Sequence, residues 1–208
     1  MVYFDRLCYL AFLFMFTGII ETTAVVNDIV REGTNRHFCF ESPISHELKV
    51  DQSVSHDGVC LTVTKVDGKC HWVTAIDETL SKTNLAQWQP GRKVNIERCM
   101  VANGRFDGHI VQGHVDQIGH VRHIEDRDGS WLFDFEYDPV WGHVTVEKGS
   151  ISVNGTSLTC FNSADGKFSV AIIPYTFEFT NFHQLKTGDV VNLEFDIIGK
   201  YVKRLLQK

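Results

Sequence analysis

Two side chains with the chemistry to move protons or act as nucleophiles sit in short, regular segments. Cys60 lies in Gly58-Val59-Cys60-Leu61-Thr62-Val63-Thr64, and His114 in Gly108-His109-Ile110-Val111-Gln112-Gly113-His114-Val115-Asp116. An imidazole exchanges protons near neutral pH, and a thiol ionises far more readily than an alcohol. Alternation along a strand puts Cys60, Thr62 and Thr64 on one face and Val59, Leu61 and Val63 on the other. If the apolar face fills a core, a thiol and two hydroxyls line the outside beside the Asp57-Gly58 turn. Hydroxyls are common on exposed strand faces, because threonine suits strands. Yet Ser157-Leu158-Thr159 after Asn154-Gly155 repeats the pattern, and surface decoration has no reason to recur. For His114, the ordinary alternative is a packed core histidine. His109/His114 and His120/His123 are closely spaced, but no cysteine or carboxylate completes a ligand set at standard spacing, so no metal site is expected.

The elements that must position these groups are duplicated. Val54–Glu97 returns, shifted by 97 positions, as Ile151–Glu194. Ser55, Gly58, Leu61, Thr62, Val73, Ile76, Thr79, Thr83, Asn84, Gln87, Gly91, Val94, Asn95 and Glu97 all meet their own type. Unrelated segments of this length would share roughly three residues. Two copies are too few for a solenoid, so each copy owns a core or the pair shares one. Phe16–Glu21 opens the first copy as Gly108–Asp116 opens the second, pairing Gly18 with Gly113 and Ile19 with His114. The copies therefore differ where chemistry is possible: cysteine against serine at 60 and 157, isoleucine against histidine at 19 and 114. Two similar half-sites, one with a thiol and one with an imidazole, suit two similar ligands meeting in different roles.

Within each copy the pattern is one of strands. Thr23–Val30, Arg36–Glu41, Val59–Val66, Trp72–Ile76 and Lys93–Arg98 are β-branched or alternating. Asp57-Gly58, Asp67-Gly68 and Pro90-Gly91 separate them, and Asn154-Gly155, Asp165-Gly166 and Thr187-Gly188 recur in the second copy. Only Glu78–Leu85 looks helical. Five or six short strands per copy favour a closed antiparallel barrel, because closure removes exposed edges. The tail differs: Ile198, Tyr201, Val202, Leu205 and Leu206 form an apolar stripe on a short helix opposite Lys200, Lys203 and Arg204. That stripe docks either on its own chain or in a subunit seam.

Of the 208 residues 43% are hydrophobic and 22% charged, with a formal charge of −6. No basic cluster suits nucleic acid, and an oligosaccharide- or oligonucleotide-binding barrel would want a basic groove and stacking aromatics. The six cysteines form no C-x-x-C pair and no disulfide-scaffold density, which indicates reduced thiols in a cytoplasmic protein. Leu7–Phe14 is apolar but short for a membrane span. Residues 1–14 are expected to be an extension from an upstream start codon, with Met15 opening the first module. The expected domains are 1–14, 15–107, 108–197 and the helix 198–208.

At these residues the chain resembles riboflavin synthases of the trimeric, tandem-barrel type. Met15-Phe16-Thr17-Gly18-Ile19-Ile20-Glu21, Gly58–Thr64, Gly108–Val115 and Ser152-Val153-Asn154-Gly155-Thr156-Ser157-Leu158-Thr159 carry the resemblance. It implies an all-β fold of two tandem homologous six-stranded antiparallel Greek-key barrels with a short C-terminal α-helix. It also implies a transferase that dismutates two molecules of 6,7-dimethyl-8-ribityllumazine by four-carbon transfer. The products are riboflavin and 5-amino-6-ribitylaminouracil, and no cofactor is needed. Each barrel would bind one lumazine, and a reaction site would join the first barrel of one subunit to the second barrel of its neighbour in a homotrimer held by the C-terminal helix.

First-barrel contacts implied by the resemblance are Gly18, Ile19 and Ile20, then Cys60, Leu61 and Thr62, then Thr74, Ala75, Ile76, Asp77, Glu78 and Thr79. Second-barrel contacts are Gly113, His114 and Val115, then Lys148, then Ser157, Leu158 and Thr159, then Ile173, Pro174, Tyr175, Thr176, Phe177 and Glu178. Ser53, Cys60 and His114 match positions implicated in the chemistry. His114 would transfer the C7-methyl proton, and Cys60 or Ser53 would activate the second lumazine. Tyr175 and Phe177 stand where the first copy has Glu78 and Leu80, and Pro174 replaces Asp77. A lumazine- or flavin-binding protein without catalysis is the alternative within the same architecture.

Overall fold

The structure is a computed structural model that describes residues 15–101 and 103–206. The expected extension 1–14 lies outside the described residues. The first module contains β1 (Thr22–Glu32), β2 (Asn35–Glu41), β3 (Ser53–His56), β4 (Val59–Asp67), β5 (Cys70–Ala75), α1 (Asp77–Lys82) and β6 (Lys93–Arg98). The second contains β7 (Gln117–Asp126), β8 (Trp131–Tyr137), β9 (Ser150–Val153), β10 (Thr156–Ala164), β11 (Lys167–Ile172), α2 (Pro174–Phe179) and β12 (Val190–Phe195), and α3 (Ile197–Leu206) ends the described chain. Each set of six strands closes into an antiparallel barrel, in the orders β1-β2-β5-β4-β3-β6 and β7-β8-β11-β10-β9-β12. The two orders are the same once the copies are superposed, so the sequence duplication is a duplication of topology.

Each barrel owns a core. In the first, Phe38 and Phe40 meet Trp88 edge-on, with centroids 5.5 and 5.9 Å apart. In the second, Phe133, Phe135, Phe168 and Phe182 are fully buried. Burying one such ring contributes about 1.5–3 kcal/mol. The alternation expected along β4 is present: Val59, Leu61 and Val63 are buried, Cys60 is half-buried, and Thr62 and Thr64 are exposed.

The strand missing from the sequence expectations is β3. Its residues Ser53-Val54-Ser55-His56 are all buried and paired on both sides, with β4 and β6, so no hydropathy alternation marks it. The turn Asp57-Gly58 and the more apolar copy Ile151-Ser152-Val153 were its only signals. His56 and His71 are buried beside it, their Nε2 atoms 2.9 Å apart, and His71 Nδ1 lies 2.7 Å from Ser45 Oγ. Burial holds His56 well below the usual histidine range, and it holds His71 down at about 4.

Closed barrels have no free edges to share, so side-chain amides join the two modules. Asn95 Nδ2 donates to Asn154 O at 2.9 Å, and Asn192 Nδ2 donates to Asp57 O at 2.9 Å. Asn181 N donates to Asn95 Oδ1 at 2.7 Å and Asn84 N to Asn192 Oδ1 at 2.8 Å. These four bonds form two pairs related by the duplication, which is why Asn84 and Asn95 recur as Asn181 and Asn192.

The helix α3 is fixed to its own chain by its polar side. Lys200 Nζ meets Asp116 Oδ2 at 2.6 Å, and Lys203 Nζ donates to the Gly142 carbonyl. The apolar stripe stays largely uncovered: Ile198, Tyr201, Val202, Leu205 and Leu206 are each at least half exposed. Among the described residues no helix is long and apolar enough to cross a membrane.

Candidate active site

The opening loops of the two modules lie side by side and cross between the barrels. Phe16 N donates to Val111 O at 2.8 Å, Val111 N to Phe16 O at 3.1 Å, and His109 N to Thr17 O at 3.1 Å. Beyond this antiparallel contact, each loop reaches the other module's barrel. Ser157 N donates to Gly18 O at 2.8 Å, and Cys60 N donates to Gly113 O at 2.8 Å. Val115 packs against the first barrel's core.

This crossing differs from the grouping that the resemblance implies. Gly113 meets Cys60 and Val115 packs on the first barrel, whereas Gly18 meets Ser157 on the second. The physical reason is the antiparallel pairing of the two loops, which carries each past its own barrel. The main chain of the His114 loop therefore meets the strand that carries Cys60, and that of Gly18 meets the strand that carries Ser157.

The close approach demands glycine at both crossings. Gly113 has φ 78° and Gly18 has φ 77°. A Cβ on Gly113 would stand 2.5 Å from Cys60 Cβ, and one on Gly18 would stand 2.6 Å from Ser157 Cβ. Left-handed backbone and absence of space both exclude a side chain there.

Around Cys60 the strands β3 and β4 pair Ser55 with Cys60 and Ser53 with Thr62, so Ser53 is a diagonal neighbour of Cys60. Burial pushes the Cys60 thiol up, the Ser53 hydroxyl pulls it down, and the Glu194 carboxylate raises it further. Cys60 is thus a neutral thiol at neutral pH, suited to holding a water or a polar ligand atom more than to attacking as a thiolate. His114 is exposed on the loop, free to reach a bound molecule. Leu61 and Ala75 are core residues, so only their main chain can face a ligand. Thr62, Ile76, Asp77 and Glu78 are exposed, and Thr74 and Thr79 are half-buried. Thr74 Oγ1 lies 2.8 Å from His37 Nδ1.

The second pocket has the same frame with other groups. Ser157 Oγ lies 2.7 Å from His109 Nδ1, and burial lowers His109 below the usual histidine range. Sequence considerations had raised His109 only as a metal candidate. Ile19 is 49% exposed beside this pocket, and Ile20 is half-buried. Thr159 is exposed and Leu158 half-buried. Lys148 has φ 64°, and its ammonium sits over the Phe161 ring. On α2 three of the five substitutions relative to α1 are aromatic: Tyr175, Phe177 and Phe179. Phe177 stacks on Trp131 at 3.7 Å and 5°, and Tyr175 packs on Phe179. Ile173, Pro174, Tyr175 and Glu178 are exposed, and Thr176 is half-buried.

Two residues absent from the expected site hold the loops. Glu97 accepts from Thr17 N at 2.7 Å, Thr17 Oγ1 at 2.8 Å and Gly18 N at 3.0 Å. Glu194 accepts from Gln112 N at 2.6 Å, Gly113 N at 2.9 Å and His114 N at 3.0 Å. Burial pushes both carboxyls up to about 7, while the converging N–H donors pull the other way. Their identity in both copies was the signal that could have marked them.

Comparison with known proteins agrees with this architecture. Residues 17–99 and 112–196 each match the lumazine binding domain. The chain is 38% identical to the riboflavin synthase of Bacillus subtilis (strain 168), over 93% of this chain and 91% of that protein. It is 37% identical to that of Schizosaccharomyces pombe (strain 972 / ATCC 24843), over 93% and 94%. LumP, solved in complex with 6,7-dimethyl-8-(1'-D-ribityl) lumazine, superposes with a TM-score of 0.79 at 19% identity, covering 86% of this chain and 98% of that one. At that identity the likeness shows the fold alone. With both modules matched and riboflavin synthases similar along nearly the whole chain, this protein belongs to the riboflavin synthase family, built from two lumazine-binding domains.

Proposed function

We propose that the chain binds one 6,7-dimethyl-8-ribityllumazine on each barrel and transfers a four-carbon unit between two of them, releasing riboflavin and 5-amino-6-ribitylaminouracil. The observation that carries this is the pair of equivalent, loop-lined pockets of unlike chemistry: Cys60, Ser53 and His114 at one, Ser157 and His109 at the other. In the reaction one lumazine loses a proton from its C7 methyl and becomes a carbon nucleophile, while the other is activated at C7 by addition of a nucleophile. His114, exposed on its loop, accepts that proton. Ser53 and the neutral Cys60 hold the water or polar atom added at C7. Holding two such rings face to face supplies much of the rate, since positioning contributes on the order of 7–11 kcal/mol.

The second pocket's groups belong to the partner lumazine, so productive pairing needs a first pocket opposite a second pocket. In this proposal the chains assemble as a cytoplasmic homotrimer, with the pairs forming between neighbouring subunits. What supports assembly is the outward apolar face of α3, beside Trp141, Val144 and Val146, which are also exposed. A cleft of about 580 Å³ lies between these two segments.

Purified protein incubated with 6,7-dimethyl-8-ribityllumazine tests the function. Riboflavin should appear, one for every two lumazines consumed. Tight lumazine binding without riboflavin would instead identify a binding protein. The retention of a complete frame at both pockets disfavours that outcome, because binding alone needs only one.

A further inference from the structure

We propose that Glu97 and Glu194 are positioning residues that act crosswise, each rooted in the last strand of one barrel and holding the loop that lines the pocket of the other. This rests on the function proposed above. Glu97 is the penultimate residue of β6 of the first barrel, yet the loop it holds, Thr17-Gly18, lies on Ser157 of the second. Glu194 is the penultimate residue of β12 of the second barrel, yet its loop, Gln112-Gly113-His114, lies on Cys60 of the first.

The two carboxylates are 5% and 2% exposed. Burying a carboxylate is costly unless it is fully hydrogen-bonded. Here every partner on the loop is a donor: three per carboxylate, two or three of them main-chain N–H groups. Only an acceptor-only group satisfies such a set, because a glutamine would turn its own NH₂ against N–H donors. Glu194 binds the N–H of His114 itself, so the carboxylate fixes where the imidazole starts. From there the loop carbonyl Gly113 O passes the constraint to β4 through Cys60 N. Each pocket is therefore complete only when the other barrel's last strand is folded in place.

Glu97→Gln and Glu194→Gln test this with riboflavin as the probe. Cys60 reports on the first pocket alone, read as riboflavin protection against iodoacetamide by peptide mass mapping. Breaking hydrogen bonds to a buried charge should raise the half-protecting riboflavin concentration about tenfold or more in Glu194→Gln. Glu97→Gln, although its carboxylate lies in the same barrel as Cys60, should leave that concentration within about twofold of the unaltered chain. Riboflavin fluorescence titration should show one tight site lost in each variant, with Cys60 still protected only in Glu97→Gln. A thermal melt accompanies both. If Glu194→Gln does not fold, Glu194→Asp, which keeps the charge but shortens the reach, should shift protection in the same direction. Equal shifts in the two variants, or a shift that follows the carboxylate's own barrel, would overturn the crosswise latch. So would unchanged protection in folded variants when the unaltered chain is protected. If riboflavin never protects Cys60 in the unaltered chain, the first pocket is misassigned and the functional proposal falls with the latch.

Discussion

The main-chain N–H of Cys60 donates to the carbonyl of Gly113 at 2.8 Å, which joins the thiol of one module to the histidine loop of the other within a single chain. The duplicated contact, Ser157 to Gly18, has the same length. The two crossings are thus built on one plan, while the reactive groups beside them differ.

Gly113→Ala should damage the first pocket selectively. The added Cβ meets Cys60 and requires a left-handed backbone, together costing at least about 2 kcal/mol. Steady-state kinetics should show kcat/KM lower by about tenfold or more, the equivalent of ~1.4 kcal/mol. An unchanged value would mean that the loop is not part of the pocket.

Complementation distinguishes pockets from residues. Cys60→Ala and His114→Ala impair the same pocket, so co-refolding the two should restore little activity. Cys60→Ala mixed with Thr159→Trp, which fills the second pocket at an exposed position, should restore activity. In randomly mixed cyclic trimers, about one junction in four pairs two intact pockets. Recovery in the first mixture but not the second would contradict the crossed assignment.

The paired histidines make a pH prediction. His71 titrates near 4 in the folded chain, below its ordinary value of 6.5, so the unfolded chain binds more protons between these pH values. Its contribution is intact above 6.5 and is lost as pH falls toward 4, about 3 kcal/mol in all. Asp57, Glu97 and Glu194, each pushed up to about 7 by burial, act with opposite sign. The histidine effect is therefore read as the difference between native and His71→Gln urea unfolding at each pH. That difference should fall with acidification, and a flat difference would show that His71 titrates normally.

Leu205→Asp with Leu206→Asp should convert the proposed trimer into folded monomers. Both side chains point outward, being 72% and 79% exposed, so the change leaves the barrels alone. Two charges in a buried seam would cost several kcal/mol. Sizing chromatography with circular dichroism reads the outcome, and a persistent trimer would place the seam elsewhere.

Much of this molecule is written in local pattern. The duplication, the strand alternation along β4 and the amphipathic tail all follow from residue spacing, because side-chain direction depends only on position within a strand or helix. The outward Cys60, Thr62 and Thr64 follow from that rule alone. Three things were decided by tertiary structure. β3 is a strand because Val54, Ser55 and His56 find partners on both sides, which its own hydropathy does not announce. The stripe of α3 faces outward because Lys200 and Lys203 find Asp116 and Gly142, contacts far apart in sequence. Above all, which barrel each glycine loop serves depends on Glu97 and Glu194 gathering main-chain donors some eighty residues away. Spacing within a motif says what a loop can bind, whereas long-range hydrogen bonding decides where the loop lies.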